Sequence, residues 1–141
     1  MIRADSLTIW APRVLSIMRI MVALLFLEHG TQKLLGFPAG GAHPALFTLS
    51  WFQGVIELVG GLLLAIGLFT RSVAFILSGD MAVAYFMAHA PQNFFPITNR
   101  GDAAILYCFI FFYIFFAGPG PWSADAMWRG TDDISYRRRR A

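Results

Sequence analysis

The chain has 141 residues, 57% of them apolar and only 13% charged, with 14 phenylalanines and a formal net charge of +3. Soluble domains carry about 25% charged and about 45–50% apolar residues, so this composition excludes an ordinary water-soluble globule, and the length suits one domain. Four of the 11 basic residues form one run, Arg137 to Arg140, with no basic stripe interleaved with aromatics elsewhere. That pattern excludes nucleic acid as a partner and fits contact with anionic lipid. The single cysteine, Cys108, lies in an apolar run, as a packing residue does.

Four apolar blocks follow one another, and a membrane-spanning helix needs roughly 20 such residues. Open strands are excluded, because an unpaired backbone edge in lipid is costly. The blocks predict helices over 12–36, 51–69, 73–90 and 102–117, giving an all-α, integral membrane four-helix bundle. Residues 1–128 form this transmembrane domain and 129–141 a basic cytoplasmic tail. Pro12 suits a helix start. The first block follows basic residues as a signal peptide would, but runs into Glu28 to Lys33 with no small-residue cleavage site, so it reads as a retained helix. Ser50 and Gln53 have the spacing of a capping box. Thr70-Arg71-Ser72 reads as a tight turn that makes helices two and three antiparallel neighbours. Pro91 and Pro96 end helix three and hold a loop open, and Gly118-Pro119-Gly120-Pro121 stops helix four. Trp10, Trp51, Trp122 and Trp128 fall near helix ends, as an aromatic belt requires.

Orientation follows from Lys and Arg in the short flanks. Eight (Arg3, Arg13, Arg71, Arg129 and Arg137 to Arg140) lie on one side, and two (Lys33 and Arg100) lie on the other. Both termini are therefore expected in the cytoplasm, with loops 38–50 and 91–101 facing outward, in a bacterial inner membrane.

Ionisable groups inside spans cost roughly 2.5–3.5 kcal/mol each at a helix centre, so each needs a partner or a purpose. At about 1.5 Å per residue, Glu28, His29, Gln32, Glu57 and His89 fall at similar depth in the outer half. Gln53, Gly54, Glu57, Gly61 and Ala65 share one helix face, where small residues admit a neighbouring helix. Arg19 and Asp80 share a depth in the inner half and are expected to form a structural ion pair. His89 stands on the opposite side of helix three from Asp80. Lys33 is expected to snorkel to the head groups, and Asp102 to supply first-turn charge. The outer cluster reads either as a hydrogen-bond network fixing helix register or as a functional pocket. Glu28, His29, Glu57 and His89 are metal-ligand types, but no Glu-x-x-His or His-x-x-x-His spacing occurs, and no metal or haem is expected.

The segment Glu28-His29-Gly30-Thr31-Gln32-Lys33-Leu34-Leu35-Gly36-Phe37 resembles the first signature of the DoxX family. Glu57-Leu58-Val59-Gly60-Gly61 leading to Gly67-Leu68-Phe69-Thr70-Arg71 resembles its second. Asp80-Met81, and Gly118-Pro119-Gly120 with Ser123 and Asp125, follow in the same order. The resemblance implies a four-helix, mostly bacterial membrane protein, similar to the small subunit of thiosulfate:quinone oxidoreductases.

Two functions are open at this point. In the first, the chain is a quinone-interacting subunit of an oxidoreductase system, dependent on a partner for electrons. His29, Gln32 and His89 would then contact the cofactor, and Glu28 or Glu57 would exchange protons with it. In the second, it is a non-enzymatic anchor or assembly factor for a partner complex. A third and weaker reading is a transporter of small solutes, for which four helices are cramped without a homo-oligomer. A protein partner, a homo-oligomer and membrane lipid are all compatible with the sequence.

Overall fold

The computed structural model describes residues 4–41 and 43–130. Arg3, the arginine run 137–140 and most of the basic tail lie outside the described residues. The elements are α1 (Ala4–Leu35), α2 (Leu49–Ile66), α3 (Thr70–Ala84), a π-helical turn (Tyr85–His89), α4 (Pro96–Asn99) and α5 (Asp102–Ala117), and a last helical segment covers 124–130. No strand occurs among the described residues. Stretches 7–35, 49–66 and 70–89 are long and apolar enough to cross a bilayer, and α5 is a shorter apolar helix.

Most boundaries sit where the apolar blocks put them, and the differences have local causes. Helix α1 runs 32 residues and continues through Pro12, which lies inside it and does not begin it. Its length, about 48 Å at 1.5 Å per residue, exceeds the hydrocarbon core of about 30 Å, so one end projects beyond the bilayer. The cap of α2 is Thr48, whose side chain accepts from the Trp51 amide at 3.4 Å, and not Ser50. Gly67, with φ 75°, takes up the left-handed cap of α2, and its amide reaches the carbonyls of Leu63 and Leu64. The tight turn is therefore 67–69, and Thr70 to Ser72 already form the first turn of α3. Pro96 opens a short helix, α4, in what the sequence reads as plain loop.

Helix α1 packs on α2, α2 on α3, and α3 on α5. The α1–α2 crossing is close because glycine forms it. A Cβ on Gly30 would sit 2.5 Å from the Leu58 amide nitrogen, and one on Gly61 would sit 3.2 Å from the Leu27 backbone. Rings close the bundle between α1 and α5, where Phe26 meets Phe111 edge-on at 4.9 Å and Tyr107 at 5.4 Å. Phe26, Leu64, Leu77, Phe111 and Ile114 are fully buried, whereas Leu24, Leu62, Phe75 and Phe109 stand exposed around the outside. An apolar belt of that kind faces lipid.

The end of the bundle carrying the α2–α3 turn is held by backbone acceptors. Arg19 is fully buried. Its Nε donates to Pro119 O at 2.9 Å, its Nη1 to Leu64 O at 2.5 Å and Ala65 O at 2.9 Å, and its Nη2 to Trp122 O at 2.5 Å. The expected ion pair between Arg19 and Asp80 is therefore not formed. The guanidinium instead serves last-turn carbonyls of α2, which a helix leaves without internal partners, and ties the 118–123 segment beneath them. Arg71 does the same for α5, donating from Nη1 to Phe115 O and Phe116 O, each at 2.6 Å. Asp125 accepts from the amides of Phe69 at 2.9 Å and Thr70 at 2.8 Å, capping α3. The motif segments 67–71 and 118–125 thus form one latch.

Candidate ligand pocket at the loop end

At the opposite end the helices part around a cavity of about 390 Å³. Helix α1 contributes Phe26, His29 and Lys33, and α2 contributes Gln53 and Glu57. Helix α3 and its π turn add Met81, Ala84, Ala88 and His89. Arg100, Ala103, Ala104 and Tyr107 complete the lining. The volume lies within the usual range of small-molecule sites, about 300–1,000 Å³.

Glu57 reaches the cavity because Gly54, Gly60 and Gly61 on the same helix let α1 and α3 close around it. It is 2% exposed. Its Oε1 accepts from Lys33 Nζ at 2.7 Å, and Oε2 has no hydrogen-bond partner. Lys33 is therefore turned inward to a carboxylate, contrary to the expectation that it snorkels outward. His29 stands on the exposed rim with its ring edge-on to Tyr107 at 6.1 Å.

His89 enters the lining through the π turn. In an uninterrupted α-helix it would lie about 80° round from Met81, eight residues earlier. The wider turn, closed by Ala90 N to Tyr85 O at 2.9 Å, removes most of that angle. His89 Nδ1 is 2.9 Å from Asn99 O. A carbonyl can only accept, so Nδ1 donates this bond and Nε2 is left facing away from it. Asn99 is itself 1% exposed, donating to Asn93 O at 2.8 Å and accepting from the Gly101 amide at 2.8 Å. It fixes the backbone that holds Arg100, at φ 59°, on the rim.

Of the sequence-predicted site residues, Glu57, His29 and His89 come together. Glu28 is exposed and outside the lining, because adjacent helical residues point about 100° apart. Gln32 turns to the 38–41 loop, 3.5 Å from Pro38 O. Gln53, expected as a cap, lines the cavity instead. Tyr107 and Arg100 were not singled out. Tyr107 lies only five residues into α5 from the same end, so the depth rule that grouped the others would have included it. Asp80 is not part of the lining, and its Oδ2 is buried without a hydrogen-bond partner.

The sequence pattern of the DoxX family matches residues 14–90. The chain is 44% identical over 127 residues to an uncharacterised protein of Haemophilus influenzae, covering 86% of this chain and 95% of the relative. It is 33% identical over 134 residues to an uncharacterised membrane protein of Mycobacterium tuberculosis, covering 81% of this chain and 80% of the relative. No solved structure matches. With the apolar spanning helices and the motif-bearing segments in place, the chain belongs to the DoxX family of multi-pass membrane proteins.

Proposed function

We propose that the chain is a quinone-binding membrane subunit of an oxidoreductase system that takes its electrons from a partner. The observation that carries this reading is Glu57 Oε2, which is buried, unpartnered and set in a wall of an otherwise largely apolar cavity. An orphaned acceptor beside a cavity is costly without a donor to meet it, and a hydroxylated or carbonyl-bearing ring supplies one in its reduced form. A bound quinone would supply a lipid-soluble acceptor for electrons and protons. The chain's own groups do the rest. Lys33 and His29 present N–H donors toward a ring oxygen, and Glu57 holds or releases a proton at Oε2. Phe26, Met81 and Tyr107 offer flat or pliable apolar contact.

The same reading orients the bundle. The Lys and Arg asymmetry supports an orientation with the turn end and both termini in the cytoplasm of a bacterial cell and the pocket open toward the outer face. A cysteine placed at position 131 should be protected from an impermeant reagent in intact cells, and labelling from outside would reverse the orientation. The functional test is extraction of gently solubilised protein. A quinone recovered from the native chain and lost from Lys33→Met supports the reading. A protein partner recovered with no quinone supports an anchor or assembly factor. One observation favours that second reading: Lys33 with Glu57, and His89 with Asn99, already pair within the chain.

A further inference from the structure

Asp80 is a half-buried ionisable group, with its Oδ2 fully buried, that the pocket does not use. It lies on α3 ten residues from the α3 start at Thr70, and Glu57 lies nine residues from the α2 end at Ile66. The two helices are antiparallel and extend side by side from the same short turn, so the two carboxyls stand at one depth, about 15 Å from that turn. Asp80 is near enough to feel the charges of both Glu57 and Lys33. Each acid has one buried oxygen, Glu57 Oε2 and Asp80 Oδ2, without a hydrogen-bond partner, and Glu57 is 98% buried, from its 2% exposure. Arg19 is committed to backbone carbonyls at the turn end and offers neither acid a bond. Among the described residues Lys33 is the one cation that bonds either acid; His29 and Arg100 stand on the exposed rim of the cavity and bond neither, which leaves one carboxyl without a paired counterion. Two such acids cannot both stay charged at this separation from water without a further cation.

We propose that Asp80 and Glu57 together hold one exchangeable proton, resting on Asp80, and that Asp80 is the reserve from which Glu57 is reprotonated. The resting place follows from the contacts. Lys33 bonds Glu57 directly at 2.7 Å and favours its charged form, whereas Asp80 Oδ2 has no donor. Passage of the proton breaks one O–H bond on Asp80 and makes one on Glu57, with no electron moved. The use of this proton rests on the quinone reading, but its presence does not.

The test is infrared spectroscopy of the full-length detergent-solubilised protein at neutral pH with no quinone added. A carboxylic-acid C=O band should be present, should shift when the aspartate carboxyls are isotope-labelled, and should vanish in Asp80→Asn. In Glu57→Gln it should also fall, because Lys33 is then free to serve Asp80; a lone buried acid would keep its band. The isotope shift is read on the native chain, so it stands even where a variant folds poorly. Absence of any aspartic-acid band, or a band untouched by Glu57→Gln, would overturn the proposal. A band that disappears on titration with sodium would put a metal cation at the pair in place of the proton and would also overturn it. A quinone found in the pocket without this band would sink the proton reserve alone, and the band without a quinone would sink only the quinone reading.

Discussion

Lys33 Nζ lies 2.7 Å from Glu57 Oε1, joining α1 to α2 at the wall of the cavity, and the two side chains are unequally buried, 27% against 3% exposed. That inequality makes their removal unequal. Lys33→Met strands a buried carboxyl, for which loss of a partner costs about 3–5 kcal/mol. Glu57→Gln leaves a lysine long enough to turn to Asp80 or to water, at a cost of about 1–2 kcal/mol. Denaturant titration of the solubilised variants should show this order, and the double variant should be more stable than Lys33→Met alone. Equal losses would mean that the pair contributes as an exposed one does.

Arg19 makes a second stability prediction. Its four bonds all end on carbonyl oxygens of α2 and the 118–122 segment. Lysine keeps the charge but cannot present the guanidinium fork. Arg19→Lys should cost about 3 kcal/mol or more, since each buried carbonyl left without its donor costs about 1–3 kcal/mol. Limited proteolysis should then cut sooner within 118–130. Coupling between Arg19→Lys and Asp80→Asn should stay within about 0.5 kcal/mol, as for sites without shared partners. A larger coupling would restore the ion pair that depth alone suggests.

That contrast shows what the sequence exposes and what it hides. Helices long enough to span lipid are written in apolar runs, and the positions of Glu57, Gly54 and Gly61 on one face follow from 3.6-residue geometry. Depth arithmetic groups Glu28, His29, Gln32, Glu57 and His89 because α-helical rise is nearly constant, and three of these five, His29, Glu57 and His89, line the cavity. It failed for Arg19 because a side-chain inventory counts charged partners and not backbone carbonyls, and two of its acceptors, Pro119 O and Trp122 O, come from a segment far along the chain that folds against the end of α2. It missed the direction of Lys33, since a long flexible side chain can run inward or outward from one backbone position. The angle of His89 depended on a π turn, for which residues 85–89 carry no proline or glycine as a marker.

The close crossing of α1 and α2 gives a paired test. Gly30→Ala would drive a Cβ to 2.5 Å from Leu58 N and 2.8 Å from Leu58 Cα. Backbone cannot swing aside as a side-chain tip does, so overpacking of about 1–3 kcal/mol is expected. Gly79 also lies within a helix, but a Cβ there meets nothing within 4 Å. Gly79→Ala should therefore be neutral or stabilise by up to about 1 kcal/mol, the helix preference of alanine over glycine. Thermal unfolding followed by circular dichroism would compare them. A Gly30→Ala protein as stable as the native one would mean that the two helices can separate without loss.

The latch at the turn end should show itself in acid. Partial burial pushes the Asp125 carboxyl up, but the amides of Thr70 and Phe69, with the Arg129 charge, pull it further the other way, and its net position is below the ordinary aspartate value of 3.8. A carboxyl whose folded value is depressed contributes stability above its unfolded value and loses it as pH falls through the folded one. The stabilisation from Asp125 is therefore complete at neutral pH, begins to fade near pH 3.8 and is gone below the depressed value. Asp125→Asn keeps an acceptor oxygen for only one of the two amides, sets an NH2 donor against the other and gives up the charge at the α3 N-terminus, so a loss of about 1–2 kcal/mol is expected at neutral pH. Other acids titrate over the same range, so the informative quantity is the difference in melting temperature between native protein and variant. That difference should be constant from pH 7 to about pH 5 and should shrink as pH drops through the interval below the unfolded aspartate value. A difference that stays constant through the acid range would show that Asp125 caps α3 by shape alone and that its charge contributes nothing to the latch.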